Sequence, residues 1–73
     1  MRAVMLIKTV PTKVEMILKS MKEMDEVKKA YITYGRFDIV AFVEVQDYHR
    51  IRQLSSELNS LDGVRSTETL AEA

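Results

Sequence analysis

The segment Thr33-Tyr-Gly-Arg-Phe-Asp-Ile-Val40 sets a carboxylate, Asp38, at the entry of a run that is otherwise mostly apolar, FDIVAFVEV. A carboxylate in that position is costly unless it is paired or hydrogen-bonded. Two uses are open to it. It can accept a charge-assisted hydrogen bond from a bound cation, or it can be architectural, satisfying hairpin N–H groups or pairing with Arg36 or Arg65. Other candidates for chemistry are few. There is no cysteine and a single histidine, His49, so thiolate zinc ligation is excluded and a histidine-based metal site lacks ligands. No Ser-His-Asp, metal-ligand or phosphate-cradling pattern is present. His49 falls in what reads as the first turn of a helix, among polar neighbours, where solvation suits it better than proton transfer. No catalytic residue, metal or cofactor is expected.

The elements that hold Asp38 can be read from periodicity. Ala3 to Lys8 is a short apolar run ending at a turn that contains Pro11, which predicts a buried strand. Thr12 with Glu15 three residues later is a capping-box signature. Val14, Ile17, Leu18, Met21 and Met24 then recur at helical spacing. Val27 to Tyr34 reads as a second strand and Phe37 to Val45 as a third. Asp47 is a plausible N-cap for a second helix with apolar positions at Ile51, Leu54, Leu58 and Leu61, and Gly63 is expected as its C-terminal cap. Val64 to Leu70 completes a fourth strand.

The order is βαββαβ, and the chain repeats itself. Thirty-seven residues on, Val14, Ile17, Met21, Met24 and Val27 recur as Ile51, Leu54, Leu58, Leu61 and Val64. Two such halves make the ferredoxin-like α+β fold: a four-stranded antiparallel sheet with two helices on one face. The apolar strands 1 and 3 belong in its centre and the polar strands 2 and 4 at its edges. All 73 residues form one domain.

Alternation puts Phe37, Ile39, Ala41, Val43 and Val45 on one face of strand 3, and Asp38, Val40, Phe42 and Glu44 on the other. Strand 1 separates Ala3, Met5 and Ile7 from Val4, Leu6 and Lys8. Two helices cover one side only, leaving Val4 or Met5, Leu6, Val40 and Phe42 bare. Contiguous apolar patches mark interfaces, and each large side chain buried contributes roughly 1.5–3 kcal/mol. A chain this short is near the limit of a self-sufficient core. A homodimer packed sheet against sheet, with Val4, Leu6, Val40 and Phe42 in its interface, is therefore expected. The tail Ala71-Glu72-Ala73 is too short to cover the face instead.

Lys+Arg and Asp+Glu are equal at 11 each, so the basic excess of a nucleic-acid binder is missing and no direct nucleic-acid contact is expected. No apolar run approaches the roughly 20 residues that span a bilayer. The opening MRAVMLIKTV has no small-residue cleavage site after it. A soluble, cytoplasmic domain without a membrane partner is the expectation.

Gly35-Arg36 reads as a two-residue hairpin loop, with Gly placed as a type II′ turn requires. Asp38 then lies just beyond it on the open face. YGRFDIVAFVEV resembles the Gly-x-x-Asp hairpin of the effector-binding, or RAM, domain of the Lrp/AsnC family of transcription regulators. MDEVKKAYITYG before it, the acidic residue opening helix 2 and LDGVRSTETL after it extend the likeness over essentially the whole chain. The resemblance implies sheet-packed dimers that assemble further and bind small amino-acid effectors in clefts between dimers. It also implies a pocket made from Gly35, Arg36, Phe37 and Asp38 with the strand-4 residues Ser66, Thr67 and Thr69. On those terms Asp38 accepts from an α-ammonium group. Backbone N–H groups near Gly35, or the hydroxyls, donate to an α-carboxylate. Full-length members carry a helix-turn-helix domain. This chain looks like a stand-alone module, which would reach DNA only through a partner such as a full-length relative.

Three other readings are open. ACT-like regulatory domains share the βαββαβ order and bind amino acids, but usually place a glycine loop after strand 1, where this chain has TVPTKVE. Small dimeric α+β barrel enzymes need a proton shuttle that His49 is badly placed to provide. An RNA-binding module would show several aromatics with basic surroundings on its open sheet, and here only Phe42 and Tyr34 could serve.

Overall fold

The computed structural model describes residues 1–73. Strand β1 (Arg2–Thr9) leads through a 3₁₀ turn (Pro11–Lys13) into α1 (Val14–Lys22). Then follow β2 (Val27–Ile32), β3 (Ile39–Glu44), α2 (Tyr48–Asn59) and β4 (Val64–Ala71). The strands form one sheet in the order β2-β3-β1-β4, with every neighbouring pair antiparallel. The two apolar strands are central and the two polar ones are edges, as the ferredoxin-like order requires.

Burial follows the pleat. Ala3, Met5 and Ile7 of β1 face the helices with Ile39, Ala41 and Val43 of β3. Ile17 and Met21 of α1 and Ile51, Leu54 and Leu58 of α2 close over them. Met5, Ile7, Met21, Ile39, Leu54 and Leu58 are fully buried. The ambiguity in strand 1 resolves in favour of Met5 inside and Val4 on the open side, because Val4 pairs with Phe42. The apolar positions that repeat between the halves all belong to this cluster or pack against it.

Helix α2 starts as expected, with the Asp47 carboxylate accepting the Arg50 N–H at 2.9 Å. Helix α1 does not. The capping box at Thr12 fails to form: Lys13 holds the N-cap position without a side-chain hydrogen bond. The cause lies one turn earlier. Val10 donates to the Gly63 carbonyl at 2.8 Å and accepts from the Lys13 N–H at 3.0 Å. Pro11, with its fixed φ, continues that 3₁₀ turn, so Thr12 falls inside it.

Gly63 also has a different role from the expected cap. Ser60 ends α2, and Gly63 sits three residues later at φ +96°. A Cβ there would stand 2.6 Å from Lys13 Cβ and 3.2 Å from Ile17 Cδ1. The glycine lets the α2–β4 connection lie directly against the start of α1.

Arg50 ties the halves together. Its guanidinium donates to both Glu26 oxygens, from Nε at 2.8 Å and Nη2 at 2.6 Å, and to Glu57 at 2.6 Å. The hydrogen bonds from Arg50 hold the Glu26 carboxyl below its ordinary value of 4.5. A lowered folded-state value stabilises above the unfolded one and is lost as pH falls through it. Glu26→Gln is therefore expected to lower stability at neutral pH by about 0.5–1 kcal/mol. The difference from wild type should shrink as pH drops below 4.5, measured by urea denaturation at stepped pH.

Candidate functional site

The hairpin carrying Asp38 is wider than expected. The tight turn at Gly35-Arg36 does not form, because the strands end at Ile32 and resume at Ile39. Phe37 is thus outside β3. Thr33 closes the loop instead, donating from its N–H to the Asp38 carbonyl at 2.9 Å and from Oγ1 to the Phe37 carbonyl at 3.0 Å. These local bonds compete with further ladder pairing and leave Tyr34 to Phe37 as the tip. Lys8 Nζ donates to the Arg36 carbonyl at 3.2 Å. The carbonyls of residues 36 to 38 are thus taken, while the N–H groups of Tyr34, Gly35, Arg36 and Phe37 have no backbone acceptor. Gly35 has φ +127° and nothing within 4 Å of a Cβ position, so a group from outside can come close to the backbone.

Asp38 answers to β1. Its N–H donates to the Ile7 carbonyl at 2.8 Å, and its Oδ2 accepts from the Thr9 N–H at 2.8 Å. The Thr9 N–H needs this partner because the β1–β3 ladder ends at Ile7, opposite Ile39. The side chain therefore turns toward the end of β1 instead of standing free on the open face. It pairs with neither Arg36 nor Arg65; the Arg36 guanidinium lies 6.0 Å from the Phe37 ring centroid.

The strand-4 residues divide. Ser66 lies opposite Lys8, whereas Thr67 and Thr69 lie opposite Ile7 and Met5. Ser66 therefore shares the open face, and the two threonines point toward α2. Thr67 Oγ1 accepts from Asn59 Nδ2 at 2.9 Å and is 3.2 Å from Ser55 Oγ. Thr69 Oγ1 is shielded from solvent with no partner. Within one protomer β1 separates the hairpin from β4, and the two threonines lie on the helix side of the sheet. Gly35 to Asp38 line none of the clefts of about 400, 360 and 250 Å³ on the protomer surface.

On the open face Val4, Leu6 and Val40 are half-buried and Phe42 is 39% exposed. Two residues that periodicity did not assign join them. Tyr31, opposite Val40, brings its ring centroid to 6.1 Å from that of Phe42, and Leu70 lies opposite Val4. A groove of about 400 Å³ at the far end from the hairpin is lined by Val4, Phe42 and Leu70, with Arg2 and Glu72 among its polar rim. The tail leaves this face uncovered: Glu72 donates its N–H to the Arg2 carbonyl at 3.0 Å and accepts the Arg2 N–H on Oε1 at 2.8 Å. The last residues thus run beside β1.

Residues 2–71 match the model of the Lrp/AsnC ligand binding domain. The chain belongs to the Lrp/AsnC family. Solved structures agree. TTHA0845 from Thermus thermophilus is 30% identical with a TM-score of 0.91, over 99% of this chain and 92% of that one. FFRP-DM1 is 26% identical with a TM-score of 0.93, over 99% and 97%. E. coli AsnC is 25% identical with a TM-score of 0.85, over 94% of this chain but 48% of AsnC. A search of curated protein sequences finds no match. This Lrp/AsnC-type domain shares the family's regulatory fold. No helix in it is long and apolar enough to cross a membrane, and no group of three or more His, Cys, Asp or Glu side chains is placed to hold a metal ion. His49 is exposed in the first turn of α2.

Proposed function

We propose that this Lrp/AsnC domain is a non-enzymatic assembly module that binds a small amino acid between copies of itself. The observation that carries the reading is the hairpin. Four successive N–H groups without backbone acceptors, beside a carboxylate with one oxygen uncommitted, offer donors for an α-carboxylate and an acceptor for an α-ammonium group. That pair of groups is what a free amino acid presents. No wall faces the hairpin within one protomer, so the pocket needs a second copy to close it, and the helix side of β4, with Thr67 and Thr69, is the matching half. The open face supports the first level of assembly, a homodimer joining Val4, Leu6, Val40 and Phe42 of one copy to those of its twin. Such dimers then meet at the hairpins to make higher oligomers. These residues carry no basic excess, so any effect on transcription runs through a DNA-binding partner, a full-length Lrp/AsnC regulator being one that this surface would fit.

The test pairs thermal-shift measurements over the twenty amino acids with light scattering. A ligand that binds only the assembled state raises the melting temperature by mass action, about 2.7 kcal/mol of stabilisation at a hundredfold excess over Kd. A monodisperse monomer with no shift for any amino acid would refute the reading.

A further inference from the structure

The internal repeat offers a comparison within the molecule. In the first half Leu18, Ala30 and Ile32 occupy positions whose equivalents, thirty-seven residues on, are Ser55, Thr67 and Thr69. The strands match in detail. Both pairings are irregular just after their first inward-facing residue, Val27 in β2 and Val64 in β4, so the next residue facing the helix is Ala30 in one and Thr67 in the other. The same space is thus filled with carbon between α1 and β2 and lined with hydroxyls between α2 and β4. Where the first half carries Glu15, the second carries Arg52.

Between α2 and β4 this leaves a cleft of about 250 Å³ lined by Tyr48, Ile51, Arg52, Ser55, Thr69 and Ala71. No carboxylate lines it. Arg52 makes no ion pair, and its neighbours at helical spacing, Tyr48, His49, Ser55 and Ser56, are not acidic. The Thr69 hydroxyl lacks a partner, an uncommon state for a buried polar group. Ile51 and Ala71 add a short apolar wall.

We propose that this cleft is the side-chain half of the effector pocket, and that Arg52 makes it select an amino acid with a side-chain carboxylate. The inference rests on the effector reading above. The hairpin of one copy already provides for both α-groups, so what reaches the cleft of the neighbouring copy is the side chain. A lone guanidinium with hydroxyl donors around it complements a carboxylate bidentately, and the small volume suits aspartate or glutamate.

Isothermal titration and thermal shift with glutamate, aspartate, glutamine and leucine test this on wild type, Arg52→Met and Arg52→Lys. Arg52 is exposed, so both variants should fold. An acidic amino acid should bind wild type about tenfold or more tighter than glutamine or leucine. Which of the two acids binds tighter reports the depth of the cleft. Arg52→Met should abolish the preference without raising Kd for leucine, and Arg52→Lys should restore part of it. Equal binding of leucine or glutamine and the acids, or a preference that survives Arg52→Met, overturns the assignment and leaves the effector reading standing. Binding of no amino acid removes both.

Discussion

Phe42→Asp is expected to give a folded monomer where the wild-type protein sediments as a dimer or larger. Phe42 lies on β3 opposite Val4 and away from the helices, so the core of Met5, Ile7, Ile39 and Leu54 is untouched. In a twofold interface the same patch serves both partners, so one substitution removes two phenyl rings, each worth roughly 1.5–3 kcal/mol when buried. It also puts two carboxylates into an apolar contact, at several kcal/mol each if they stay unpaired. Dissociation should be complete at micromolar concentration by sedimentation velocity, with the far-ultraviolet circular dichroism of the fold retained. A variant that still sediments as wild type would refute this face as the assembly interface.

The second large effect separates two roles of Asp38. The Thr9 N–H depends on its Oδ2, so Asp38→Ala should destabilise the protein by about 1–3 kcal/mol through an unsatisfied donor. Asp38→Asn keeps an acceptor oxygen in place and should stay within about 0.5 kcal/mol of wild type. If the carboxylate holds an α-ammonium group, Asp38→Asn must still weaken amino-acid binding by about tenfold or more, since the charge is gone. Denaturation and titration on the same samples decide it. Undiminished binding by a stable Asp38→Asn protein would make the aspartate purely structural.

Much of the architecture was legible in the sequence, and the parts that were not share a cause. Helix faces, strand order and the central place of β1 and β3 follow from apolar spacing, which is local. The role of Asp38 depended on Thr9, twenty-nine residues away in sequence, and on a β1–β3 ladder that stops at Ile7 and leaves the Thr9 N–H without a ladder partner. The orientation of β4 depended on the register shift against β1 between Lys8 and Thr9. Strict alternation from the inward-facing Val64 would place Ser66 inside, whereas the irregularity moves Ser66 to the open face and Thr67 inward. Tyr31 and Leu70 went unassigned because edge strands lack a clear apolar rhythm. Thr12 failed as a cap because Val10 is bonded to Gly63, a contact between the two halves that no helix signature encodes.

The sheet order also bears on how the chain is made. Strand β1 leaves the ribosome before the other strands of this sheet, yet the partner along one of its edges is β4, the latest of the four. Until Val64 to Ala71 emerge, that edge of a strongly apolar strand has open hydrogen-bonding groups, the condition in which nascent chains pair with one another. Completion of the sheet must then wait for closure of the long loop between β1 and β4, which favours slow folding over rapid local collapse. Ribosome stalling before residue 64 should therefore yield a protease-sensitive, self-associating intermediate, and emergence of Val64–Ala71 should cure it.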